Sequence, residues 1–123
     1  MISTRPERTT AAALTVLGVF QAALAAGTPW GRAAYGGARH GTLPGHLRAI
    51  SGIASVAYCS GAVLVLTGRG TPRARRRAYT ALSVFMSAGV MANGASRSPV
   101  ERALWTPLTA VTAVSSWRSR PRC

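Results

Sequence analysis

The chain of 123 residues is the length of one domain. It carries fifteen arginines, no lysine, no aspartate and two glutamates, Glu7 and Glu101, for a formal net charge of +13. Apolar residues make up 48% and charged residues only 14%, against roughly a quarter charged in an ordinary water-exposed domain. This balance excludes an acid-rich catalytic or metal centre and leaves two classes of partner for the positive charge, nucleic acid or anionic lipid.

The first apolar run is AAALTVLGVFQAALAAG, residues 11–27, with Gln21 its only strongly polar side chain. It predicts a membrane span over about 9–27, since a helix needs roughly 17–25 mostly apolar residues to cross a bilayer. Arg5 and Arg8 ahead of it, and Ala23-Leu24-Ala25 near its end, also fit a cleavable signal peptide. Three further apolar runs make an uncleaved first span the simpler reading.

GTPWGRAAYGGARHGTLPGHLR follows at 27–48, with six glycines and both histidines, His40 and His46. It reads as a long connection in which glycine allows tight turns. The second run, AISGIASVAYCSGAVLVLTG at 49–68, holds no charge and predicts a span over about 46–67. Gly68-Arg69-Gly70 reads as a tight helical-hairpin turn, and Thr71-Pro72 as a cap and first residue of a third helix. That helix opens with the basic extension RARRR at 73–77. It continues through AYTALSVFMSAGVMANGAS, where Asn93 is the one polar residue beyond hydroxyls, a span of about 76–96.

Ser98-Pro99-Val100-Glu101 has the pattern of a capping box. It starts a fourth span of about 99–117, with Pro107 inside it as an expected kink. All-round apolar character, rather than an apolar stripe, is what a lipid-facing or fully buried helix requires. Four fully buried helices do not fit in a chain this short. The expected fold class is therefore all-α: a four-helix transmembrane bundle, up-down-up-down, with both termini on the same side.

Arginine placement orients it. Ten arginines fall in the N-terminal tail, the 68–77 segment and the C-terminal tail, while Arg32, Arg39, Arg48, Arg97 and Arg102 lie on the other side. Cytoplasmic loops carry the excess of basic residues, so both termini are expected inside the cell's inner (plasma) membrane. Trp30 and Tyr35 then flank the outer boundary, and Tyr79 and Trp117 the inner one, as an aromatic belt.

Three stretches carry a resemblance. GTPWGRAAYGG at 27–37, LPGHLRAIS at 43–51 and NGASRSPVERALWTP at 93–107 resemble a group of small four-span membrane proteins common in high-GC bacterial genomes. The resemblance covers most of the chain and implies a fold and a membrane location, with no chemistry. The chain departs from that pattern after Trp117, turning at once to RSRPRC where the last span of the group continues. Full insertion of the fourth helix is thereby left open.

The residues argue against catalysis. His40 and His46 have no Cys, Asp or Glu beside them, and tetrahedral zinc wants at least three protein ligands. A nucleophile–base–orienter set lacks its third member without aspartate, and GGARHG lacks the lysine and the strand-to-helix context of a phosphate loop. No enzyme, metal or cofactor is expected. RARRR has no interleaved aromatic residues and abuts an apolar run, which favours an anchor for anionic lipid headgroups over a nucleic-acid patch. Proton-coupled cation export, the work of small four-span multidrug exporters, needs an acid inside the membrane, and none of the four runs has one. Cys59 and Cys123 form no metal pair or disulfide candidate.

The remaining intramembrane amides, Gln21 and Asn93, fit interhelical hydrogen bonding better than a ligand site, and Ser51/Ser55 and Ser83/Ser87 are small-xxx-small pairs. Leucine at Ser55 or Ser87 is expected to disturb packing more than leucine at Val65. The candidate ligand or outer-cap residues are Trp30, Arg32, Tyr35, Arg48, Asn93, Arg97, Glu101 and Trp105. Within that cap Glu101, the only acid on its face, is expected to pair with Arg48 or Arg97, and Trp105 to pack beneath Trp30. The expected function is a multi-pass membrane protein acting as a non-enzymatic interaction or accessory module, with the bilayer and a second copy or another membrane protein as partners. The alternative is a small carrier or lipid-binding protein whose pocket opens to the outer face.

Overall fold

The computed structural model describes residues 4–30, 41–95 and 99–121, with the side chains at 100 and 101 outside that description. Among the described residues there are four helices and no strand: α1 (Arg5–Ala25), α2 (Gly45–Thr67), α3 (Pro72–Gly94) and α4 (Pro99–Arg118). Their ends follow local chemistry. Thr4 caps α1 in a reciprocal box with Glu7, a pairing that satisfies two orphan donors of the first turn. The α2 helix stops at Gly68, whose φ of 66° is left-handed, a conformation glycine adopts without a Cβ penalty. Thr71 accepts from the Ala74 amide at 3.1 Å to start α3. The fourth helix runs unbroken through Pro107.

Neighbouring helices pack antiparallel. Early α1 meets late α4 where the Thr10 hydroxyl donates to Ser115 Oγ at 2.9 Å. Late α1 meets early α4 where the Phe20 and Trp105 rings lie 4.3 Å apart. Against α2, Gly18 presents its bare backbone: a Cβ there would run into the Cys59 sulfur, and Ser55 Oγ donates to the Gly18 carbonyl at 2.9 Å. Ser83 Oγ donates to the Ala113 carbonyl at 2.8 Å and ties α3 to α4. The spatial order is thus α2, α1, α4, α3. Consecutive α2 and α3 share a turn but do not pack along each other, and the described chain ends lie beside that turn.

The burial pattern has a definite sense. Thr10, Ser51, Thr112 and Ser116 are fully buried, and Ser83, Thr109, Ser115 and Ser119 nearly so. Large apolar side chains divide: Leu14, Leu17, Leu24, Met86 and Trp105 are buried beside these hydroxyls, while many others face outward, with Ile53 74% and Met91 76% exposed. Two of the four helices, α1 and α2, are long and apolar enough to cross a membrane. The α3 helix opens with PRARRR and α4 is rich in Ser and Thr, so neither reaches that apolarity.

Several sequence expectations are corrected here. Tyr79 is buried rather than facing lipid in an aromatic belt. Ser87 is exposed and bonds only along its own helix, to the Ser83 carbonyl at 2.8 Å. Val65 belongs to the core, so it is not a lipid-facing reference position. The Gln21 side-chain oxygen is buried without a hydrogen-bond partner among the described residues.

Candidate functional site: an apolar groove with a basic rim

Because α2 and α3 diverge from their shared turn, a groove of about 510 Å³ opens between them. Leu14 of α1 forms its floor, Ala57, Gly61 and Leu64 one wall, and Ala74, Ala78, Leu82 and Phe85 the other. Small residues on both walls keep the slot open along its length. Arg69 and Arg75 stand at the turn end of the groove.

Arg75 braces that end. Its Nη2 donates to Glu7 Oε2 at 2.7 Å and to the Tyr79 hydroxyl at 3.0 Å. Its Nη1 donates to the carbonyls of Leu64 at 3.2 Å and Arg69 at 2.9 Å. A cation here meets the negative dipole end of α2 and adds a donor to the Leu64 carbonyl, which also accepts from the Gly68 amide. Tyr79 in turn donates to Glu7 Oε2 at 2.9 Å. One guanidinium thereby connects α1, α2, the turn and α3. Burial pushes the Glu7 carboxyl up, but hydrogen bonds from Tyr79, Arg75 and Thr4 outweigh it and hold it below the usual carboxylate range. Arg76 donates to the Pro121 carbonyl at 3.0 Å. The basic run is therefore divided: Arg75 and Arg76 are half-buried braces, while Arg73 and Arg77 are exposed.

At the opposite end the described part of the 27–48 connection folds back onto the last turns of α1. Arg48 Nε donates to the Ala25 carbonyl at 3.1 Å, so it caps α1 from the start of α2. Thr42 Oγ1 donates to the Gly27 carbonyl at 2.9 Å, Trp30 and Gly41 pair as an isolated bridge, and Leu43 buries against Leu24. Trp30, half exposed, stacks on Phe20 with centroids 6.0 Å apart and planes 3° from parallel. Phe20, not foreseen as a site residue, is therefore the link between Trp30 and the buried Trp105. Asn93 lies half-buried in the last turn of α3. Arg32, Tyr35 and Arg97 fall outside the described residues, as does the Glu101 side chain with its expected pairing.

No family model, curated protein or solved structure matches this chain. The site is accordingly read from its own geometry. Sequence reasoning missed the groove and the Glu7–Arg75–Tyr79 cluster, although Thr4-Arg5-Pro6-Glu7 carries the same start signal that was recognised at Ser98. The groove depends on α2 and α3 splaying apart, which no local pattern announces. It also lies beside the 68–71 turn, whereas the anticipated pocket faced the opposite side.

Proposed function

We propose that this chain is a multi-pass membrane protein whose four helices form a transmembrane bundle with cytoplasmic termini, acting as a non-enzymatic interaction or accessory module. It would be of the kind formed by the small four-span proteins of high-GC bacteria that it resembles. The observation that carries this reading is a seam of buried hydroxyl side chains beside the Leu, Met and Trp core, together with many large apolar side chains, Val19, Ile53, Phe85 and Met91 among them, left on the outside. In water such a surface would be an interaction or aggregation liability. In lipid it is the expected one, because polar side chains turn inward to find partners and small residues let the helices approach.

The nine described arginines of the two tails and the 68–77 segment lie at the turn end and favour a cytoplasmic placement for it. Anionic headgroups are natural partners for the exposed members, Arg73 and Arg77. A second reading, lipid binding, is favoured by the apolar groove, which lies beside the basic turn rather than at the outer end of the bundle. The topology is tested with reporter fusions. A fluorescent protein that stays dark in the periplasm is expected to light when fused after Cys123 and to stay dark when inserted near Gly37. The reverse pattern overturns the orientation, and light at both sites overturns the spanning bundle.

A further inference from the structure

We propose that the groove between α2 and α3 holds one anionic phospholipid of the leaflet at the turn end, with an acyl chain along the slot and the phosphate on Arg69. The site rests on the membrane reading above.

Length is the first argument. The α3 wall from Ala74 to Phe85 rises ~16 Å at 1.5 Å per residue. That is the depth of one leaflet of a ~30 Å hydrocarbon core, so a chain anchored at headgroup level fills the slot without crossing the bilayer. Width is the second. Gly61 and Ala78 stand among the residues of the two walls, and a flexible methylene chain is far narrower than a helix of ~10 Å diameter.

Charge is the third argument. The chain has two acids; Glu7 is held by Arg75, and Glu101 sits in the first turn of α4, at the other end of the bundle. Arg75 is saturated by its own fold, but Arg69 is exposed on the rim, with no acidic partner among the described residues. Its counter-charge comes from outside the protein. A guanidinium matches a phosphate in geometry as well as sign, and a slot that opens sideways into lipid presents that phosphate on a membrane molecule.

The test uses the full chain in nanodiscs of equal phosphatidylglycerol and phosphatidylcholine, followed by mild-detergent extraction and lipid counting by mass spectrometry. The expected result is about one retained phosphatidylglycerol per chain, in preference to phosphatidylcholine. Arg69→Gln, an exposed change that leaves the fold in place, lowers retention by about fivefold. Ala78→Phe fills the slot and removes the lipid while the basic rim stays intact. Arg8→Gln, exposed and away from the groove lining, leaves retention unchanged. Equal losses for Arg69→Gln and Arg8→Gln would reduce the effect to diffuse surface charge and overturn the site. So would lipid retained by Ala78→Phe, or retention without headgroup preference. Release of the chain from cell membranes by an alkaline carbonate wash would overturn the membrane reading and the site together. A chain that stays in the membrane without a selected lipid overturns the site alone.

Discussion

A carboxylate in a chain with fifteen arginines has many partners in reach, and Glu7 selects Arg75 because three constraints coincide there. The Thr4 box fixes Glu7 in the first turn of α1, Tyr79 donates a second hydrogen bond to the same oxygen, and the α2 carbonyls hold the guanidinium from behind. With the Glu7 side chain only 16% exposed, Glu7→Gln should lower stability by about 1–3 kcal/mol, the range for a hydrogen bond to a charged group lost at a shielded site. The pH dependence has a definite sign. The folded carboxyl titrates below its unfolded value, so its stabilisation is present above the unfolded range and is lost as pH falls through the lower, folded value. Thermal melts in detergent, taken downward from neutral pH, should show the parent losing its advantage over Glu7→Gln only under acid. A gap between the two that ignores pH would refute the pairing.

At the scale of the helix pair, Gly18 and Ser55 set how closely α1 approaches α2. Leucine at Ser55 removes the 2.9 Å bond to the Gly18 carbonyl and adds bulk to a seam with no room for it, a change of about 1–3 kcal/mol by overpacking. Leucine at exposed Ser87 should stay within about 0.5 kcal/mol. Comparable losses at both positions, measured by detergent denaturation, would mean that both serines face a neighbour. This contrast marks how far the sequence could be read. Helix starts at Thr71-Pro72 and Pro99, and the stop at Gly68, were legible because a cap is decided by residues a few positions apart. Ser55 and Ser87 belong to the same small-xxx-small pattern, and only packing between distant segments separates them. In the same way nothing within RARRR marks Arg75 as the brace and Arg77 as exposed; the difference lies in Glu7, 68 residues earlier. At the candidate cap, Trp30 and Trp105 were legible as aromatic anchors, but Phe20, an ordinary member of an apolar run, gave no sign that it would join them.

For the whole molecule, the unequal apolarity of the helices bears on how the bundle could assemble in a bilayer. Among the described residues, α1 and α2 are the helices long and apolar enough to cross a membrane. The hydroxyl face of α4, with Thr109, Thr112, Ser115 and Ser116, is buried and bonded partly along its own helix and partly to Thr10 of α1. Hydroxyl groups that bond back to the preceding turn's carbonyls present little unsatisfied polarity, and burial against α1 and α3 hides the rest. On the membrane reading, α4 and α3 therefore insert as partners of α1 and α2, the later helices relying on packing that the earlier ones provide. Each helix can be placed alone in a host membrane protein whose glycosylation reports insertion. There α1 and α2 should insert in most molecules, and α3 and α4 in well under half. In the full chain α4 should insert nearly completely, and leucine at Thr10, which breaks the contact to Ser115, should lower that fraction while leaving α2 unaffected. Isolated α4 inserting as fully as α2, or a full chain indifferent to Thr10→Leu, would show that α4 enters the bilayer on its own hydrophobicity and that the buried hydroxyl seam forms only afterwards.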